Sequence, residues 1–169
     1  MTEHHNDILI RMPVIDDGHA VHQLIAASPP LDLNSIYSYY ILSDHFRNTC
    51  AVAEHEGEVM GFLSAYRVPE QPDILFVWQV VVDKAMRGQR VAWRMLESVL
   101  RRFDTGQVSF VEATVNPSNI ASRKLFEHLA KEQGTSIEER TYLEASAFGS
   151  SEAHESEILV RVPLSNQNS

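Results

Sequence analysis

The sequence predicts a mixed α/β or α+β domain, and three observations carry that prediction. Strand-like and helix-like patterns alternate along the 169 residues with no Pro/Gly/Ser-rich linker and no internal repeat, as in one layered domain. Residues 74–82 are apolar at almost every position, the pattern of a central strand covered on both faces. Beyond them Ala92, Met95, Leu96, Val99, Leu100 and Phe103 recur at helical spacing with Arg94, Glu97, Arg101 and Arg102 opposite, which is a helix laid on a sheet.

The other elements follow in order. Residues 8–12 read as a first strand and 16–27 as a helix, with Asp16 or Asp17 as its cap and the Pro29, Pro30 pair stopping it. The aromatic-rich stretch LDLNSIYSYYILSDHF predicts a second helix from Ser35. Residues 49–54 and 59–66 alternate as strands around HEGE, where Gly57 suits a tight turn, so the two pair antiparallel. DTG ends the third helix, residues 108–115 form a strand, and NPSN caps a helix over 119–131. Two last strands fall at 136–141 and 156–162, with a polar loop over 143–155 between them. The expected organisation is one domain over 1–169, with 1–6 and 164–169 as flexible tails.

Composition narrows the function. A hydrophobic share of 44% supports a sizeable core, and a net charge of -9 opposes nucleic acid or an anionic membrane as partner. The Arg101, Arg102 face offers nucleic acid little, because acidic neighbours surround it. A single cysteine, Cys50, excludes a disulfide framework and a thiolate metal cluster and fits a reducing compartment, with the cytoplasm as default. The N-terminal stretch has neither a leader pattern nor an apolar run able to span a bilayer, and the paired His4 and His5 are not read as a metal site. No metal is expected.

The junction VVVDKAMRGQRVAWRML raises the functional question. A helix starting just after Arg87 presents unpaired backbone N–H groups and a positive dipole end, and Gly88 permits a path that a side chain would crowd. With Arg87 and Arg90 beside it, the junction suits a phosphate of a nucleotide-containing ligand; a surface turn with solvated arginines is the alternative. It is neither a Walker loop nor GxGxxG.

This stretch resembles the strand, acyl-CoA pyrophosphate loop and helix of the GNAT superfamily of N-acetyltransferases, whose pattern is Arg/Gln-x-x-Gly-x-Gly/Ala. Arg87 matches its first position and Ala92 its last, while Arg90 stands where the middle glycine is usual. VNPSNIASRKLFEHLA is similar to the following strand and helix, with Asn119 in the place of a frequent CoA-side asparagine. The implied fold is a mixed, mostly antiparallel central sheet of about six to seven strands flanked by about four helices. PPLDLNSIYSYYIL, FVWQVVVDKAMRGQRVAWRML and TVNPSNIASRKLFEHLA together resemble the branch that acetylates the γ-amine of L-2,4-diaminobutyrate in ectoine biosynthesis. That resemblance implies acetyl-CoA as cosubstrate and a homodimer. An acetyltransferase for another small diamine or amino acid, and a noncatalytic acyl-CoA-binding module, remain as alternatives.

The resemblance also implies roles. Pantetheine lies along the central strand against backbone amides of Val80, Val81 and Val82, one of which stabilises the oxyanion, while Arg87, Gly88, Gln89, Arg90, Val91 and Ala92 hold the pyrophosphate. Phe126 takes the place of the tyrosine that protonates the leaving thiolate in many relatives, so either the thiolate leaves without an obligatory acid or another hydroxyl, with Tyr37 the candidate, serves. Cys50 lacks an activating neighbour and reads as a buried structural thiol. Asp32 and Glu157 are expected to form an acidic acceptor cleft with Trp78 as its wall and His154 as a base or contact. Their alternatives are a helix cap for Asp32, a solvated edge carboxylate on an open Glu157, Leu159, Arg161 face, a core aromatic for Trp78 and an idle loop histidine.

Overall fold

The computed structural model describes residues 7–149 and 154–165. Among the described residues seven strands and four α-helices follow one another as β1 (Leu9–Arg11), α1 (Gly18–Ala26), α2 (Ile36–Asp44), β2 (Ala51–His55), β3 (Glu58–Val68), β4 (Gln71–Val82), α3 (Val91–Leu100), β5 (Phe110–Val115), α4 (Ile120–Gln133), β6 (Glu138–Leu143) and β7 (Glu157–Pro163). The strand order is β1-β2-β3-β4-β5-β7-β6. The chain divides into two compact units, 1–66 with 79–102 and 67–78 with 103–169.

In the first unit β1, β2 and β3 are antiparallel neighbours, as the tight Glu56–Gly57 turn requires of β2 and β3. Val21, Leu24 and Ile25 of α1, Tyr39 and Leu42 of α2, Cys50, Val52, Phe62 and Val81 form its core. α1 and α2 approach closely at Gly18, where a Cβ would lie 2.7 Å from the Tyr40 ring, so no larger residue fits without moving that ring. The helix expected from residue 16 begins instead at Gly18, after a 3-10 turn over Ile15–Asp17. Asp17 does not cap α1 through its side chain: it accepts from Val14 N–H at 2.7 Å and pairs with Arg11 at 2.8 Å, and these bonds hold its carboxyl below the usual range against the cost of burial.

In the second unit β5 runs parallel to β4, while β7 lies antiparallel between β5 and β6. Arg161 of β7 donates to Glu112 of β5 at 2.6 Å and lies 4.8 Å from the centre of the Phe110 ring. α4 is capped by Asn119, whose side chain accepts from Ser122 N–H, and ends at Gly134, where φ is 65°. Residues 164 and 165 depart from the expected tail: Leu164 N–H donates to Ser109 and Ser165 N–H to Gln133. The tail residues 1–6 and 166–169, with His4 and His5, lie outside the described residues, as do 150–153 of the polar loop.

Three expectations change. β4 starts at Gln71, and only Pro69 and Glu70 separate it from β3. Its second half is not covered on both faces: Val77, Gln79 and Val81 are buried, but Trp78 is 45% exposed and Val80 and Val82 are half-buried. α3 ends at Leu100, so Phe103 is not on it; the Phe103 ring instead lies 5.7 Å from the Arg67 guanidinium. No helix among the described residues is long and apolar enough to cross a membrane.

Candidate active site

The junction after β4 is a built turn. Asp83 accepts from Ala85 N–H at 2.8 Å and starts a 3-10 turn over Lys84–Met86, which delivers the chain to Arg87 and Gly88. Gly88 has φ 80°, and Arg90, immediately before α3, has φ 59° and ψ 26°. Both are left-handed, a region that disfavours side chains by about 1–2 kcal/mol. The glycine of the family pattern thus has a backbone reason, and Arg90 adopts the same conformation without it. α3 consequently starts at Val91, three residues later than the sequence suggests, and aims its first-turn N–H groups and dipole end at the turn. Arg87, Gly88 and Arg90 are exposed and Val91 anchors the start of the helix in the core.

The loop before α2 carries Asp32. The cap of α2 is Ser35, whose hydroxyl accepts from Tyr37 N–H at 3.2 Å, so the cap reading of Asp32 does not hold. Its carboxylate is exposed, and its carbonyl accepts from Gln79 Nε2 at 2.7 Å. Gln79 is 7% exposed in β4 and has further partners: its Oε1 accepts from the Tyr39 hydroxyl at 3.2 Å and from Asn34 Nδ2 at 3.5 Å, and its N–H donates to Ser64 Oγ at 3.2 Å. Tyr37 is 69% exposed on the first turn of α2, while Tyr39 is wholly buried and Tyr40 half-buried. A glutamine inside FVWQVVV was the available sign of this network, since a polar residue in a buried strand needs partners.

In the second unit Glu157 opens β7, which is not an edge strand. It is half-buried, and Leu159 on its face is buried, with Arg161 beyond it paired to Glu112. The solvated-edge reading therefore fails. With the Asn116 amide nitrogen facing the carboxylate, it donates to Glu157 Oε1 at 2.7 Å and to Oε2 at 3.0 Å. Asn116 was legible only as part of a helix-capping NPSN. His154 stacks on Phe148 with centroids 3.7 Å apart, and its Nδ1 lies 2.7 Å from the Glu155 carbonyl. Glu155 in turn accepts from the Ser118 hydroxyl. Asn119 spends its side-chain oxygen on the α4 cap. Trp78 is too exposed for a core aromatic.

Two residues are excluded from the chemistry by burial. Cys50 is wholly buried, and desolvation pushes its thiol up to about 11, leaving negligible thiolate at neutral pH. Phe126 is a core residue of α4 with no group to donate. Arg102, the centre of the basic face, donates to the carbonyls of Arg47, Asn48 and Cys50 at 3.2, 3.0 and 2.7 Å, so its charge serves the fold. No group of three or more metal-ligating side chains occurs among the described residues.

A strand whose second half keeps one face open, followed by a left-handed basic turn and a helix N-terminus, is an arrangement that suits an acyl-CoA. Residues 19–130 match the acetyltransferase (GNAT) family, to which the chain belongs. Within the family it is 45% identical over 154 residues to the L-2,4-diaminobutyric acid acetyltransferase of Bordetella parapertussis, covering 90% of this chain and 82% of that one. The Vibrio cholerae enzyme of the same name is 41% identical, over 95% of this chain and 92% of its own. The solved structure of diaminobutyrate acetyltransferase EctA from Paenibacillus lautus, in complex with its substrate L-2,4-diaminobutyric acid and coenzyme A, superposes with a TM-score of 0.90 at 40% identity, over 94% of this chain and 95% of that one.

Proposed function

We propose that this protein, acting as one N-acetyltransferase domain over residues 1–169, transfers the acetyl group of acetyl-CoA to the γ-amine of L-2,4-diaminobutyrate. The product is N4-acetyl-L-2,4-diaminobutyrate, and the setting is ectoine biosynthesis. The carrying observation is the identity of 40–45% to enzymes of that activity over nearly the whole chain, in a chain whose own β4, turn and α3 suit acyl-CoA.

In this reading Arg87, Gly88, Gln89, Arg90, Val91 and Ala92 hold the pyrophosphate, Asn119 contributes on the CoA side, and amides of Val80, Val81 and Val82 hold pantetheine. Asp32 and Glu157 attract the ammonium groups, Trp78 holds the aliphatic stem, and Tyr37 and His154 contact the acceptor. The γ-amine, of pKa near 10 in water, gives up a proton to one of the carboxylates before its lone pair attacks the thioester carbon. The C–N bond forms, a strand amide steadies the oxyanion, and the C–S bond breaks with its electron pair leaving on sulfur. The thiolate then takes a proton from Tyr37, and Tyr37 recovers one from the second proton that the attacking nitrogen loses as the amide forms. We place the enzyme in the cytoplasm as a homodimer.

The test is incubation with acetyl-CoA and diaminobutyrate, thiol detection, and NMR of the product. Thiol release with N4-acetylation is expected, in sequential kinetics that Cys50→Ala leaves intact. Preference for a different amine would make it an acetyltransferase of another substrate, binding without turnover would make it a noncatalytic module, and ping-pong kinetics with acetylated Cys50 would overturn direct transfer.

A further inference from the structure

The residue that carries the most unexplained structure is Gln79. It follows Trp78 and precedes Val80 in β4, where every other position from 74 to 82 is apolar. Burying an amide there is costly unless each polar atom is satisfied, and an aliphatic residue would pack without that demand. Both polar atoms of its side chain are engaged, and their partners lie in or immediately behind one segment. Nε2 donates to the Asp32 carbonyl at 2.7 Å. Oε1 accepts from Asn34 Nδ2 at 3.5 Å and from the Tyr39 hydroxyl at 3.2 Å, and that hydroxyl itself accepts from Asn34 N–H at 3.2 Å.

The segment so held has no regular structure between Leu31 and Ser35, and it exposes Asp32 and Leu33. Lacking the hydrogen-bond ladder of a helix or strand, it takes its backbone position from these contacts and from half-buried Leu31, which packs on the core. The bond at Asp32 goes to the main chain, so it fixes where the carboxylate starts without occupying it. Through its own N–H, Gln79 is also bonded to Ser64 of β3. One side chain therefore ties the Asp32 segment to the strand whose next three residues, Val80 to Val82, are assigned to pantetheine.

We propose that Gln79 is a positioning residue that sets acceptor binding by holding the main chain of the Asp32 segment, an inference that rests on the acceptor role given to Asp32 above. Gln79→Met keeps length and volume and deletes all three side-chain bonds. The expected outcome is a rise of about tenfold in KM for diaminobutyrate, with KM for acetyl-CoA changed less than about twofold, the size of one or two lost hydrogen bonds. Hydrogen exchange of the amides of 32–35 should quicken in the same variant without substrate. Tyr39→Phe, which removes one donor to Oε1 and keeps the ring, serves as the milder variant should Gln79→Met fold poorly, with about threefold in the same constant. Unchanged exchange at 32–35, or equal losses for both substrates, would overturn the positioning role. Quickened exchange with an unchanged diaminobutyrate KM would leave the tether and remove the acceptor role of Asp32; wild-type turnover decides the activity separately.

Discussion

Asp32 and Glu157 are both carboxylates proposed to bind the acceptor, yet the protein holds them by opposite means. Asp32 is fixed through its backbone carbonyl, with the carboxylate exposed on a segment without regular structure. Glu157 sits on a strand paired on both sides, half-buried, with Asn116 donating to both carboxylate oxygens. The difference separates two uses of a negative charge. An exposed carboxylate is screened by water and salt and attracts a cation weakly, whereas a half-buried carboxylate held by an amide keeps its orientation and acts through a lower effective dielectric. Glu157 is therefore suited to orient the reacting amine and Asp32 to recruit the diamine.

The sharpest way to break that comparison is to neutralise each group in turn. Glu157→Gln should reduce kcat/KM for diaminobutyrate about 10- to 150-fold, the worth of a charge-assisted contact held through the transition state. Asp32→Asn should cost less, about three- to tenfold, mostly in KM and more steeply at low ionic strength. Acetyl-CoA affinity should change little in either variant. Steady-state kinetics at two salt concentrations decides the matter: equal effects, a larger effect at Asp32, or a salt dependence steeper at Glu157 than at Asp32, would overturn the assignment.

A second comparison, between the two left-handed residues of the basic turn proposed to hold coenzyme A, predicts smaller effects. Gly88 occupies that conformation without penalty, and Arg90 does so at the cost of side-chain crowding. Arg90→Gly should raise stability by about 0.5–1 kcal/mol in denaturant unfolding while weakening coenzyme A binding up to about tenfold by calorimetry, because a guanidinium is lost from the phosphate end. Tighter coenzyme A binding in Arg90→Gly would mean that the side chain crowds the phosphate.

The sequence announces what depends on periodicity and hides what depends on tertiary partners. The amphipathic face of α3, the Gly57 hairpin and the basic turn are local patterns, and each appears close to where the spacing puts it. The start of α3 slips by three residues because Arg90 takes a conformation that glycine signals and arginine does not. β4 reads as buried throughout because a tryptophan in an aliphatic run looks like core, and only the fold leaves Trp78 exposed. The partners of Gln79 lie 15 to 47 positions away in sequence, and the Asn116–Glu157 pair spans 41 residues, so no local spacing points to either. The roles of Asp32, Glu157, Trp78, Tyr37 and His154 rest on resemblance and on the chemistry of a diamine acceptor, and the structure adds the surroundings from which those roles can be tested.

The last effect shows in stability and leaves activity alone, and it concerns a residue that both readings keep out of the chemistry. Burial raises the Cys50 thiol from 9.0 to about 11, so the folded state disfavours the thiolate more than the unfolded chain does. The sign follows from linkage: the contribution is fully present below pH 9, where both states are protonated, and is lost as pH rises from about 9 through 11. Its size is about 1–3 kcal/mol at most, one pKa unit being worth about 1.4 kcal/mol. Urea unfolding between pH 8 and 11 should therefore show a decline that is shallower in Cys50→Ala, with the variant offset by a small pH-independent loss from the missing sulfur. Below pH 9 Cys50 should resist alkylation until the protein unfolds. Parallel pH profiles for the two proteins, or rapid alkylation of the native thiol at pH 8, would show a Cys50 far more accessible than the wholly buried thiol beside the Ala65 carbonyl.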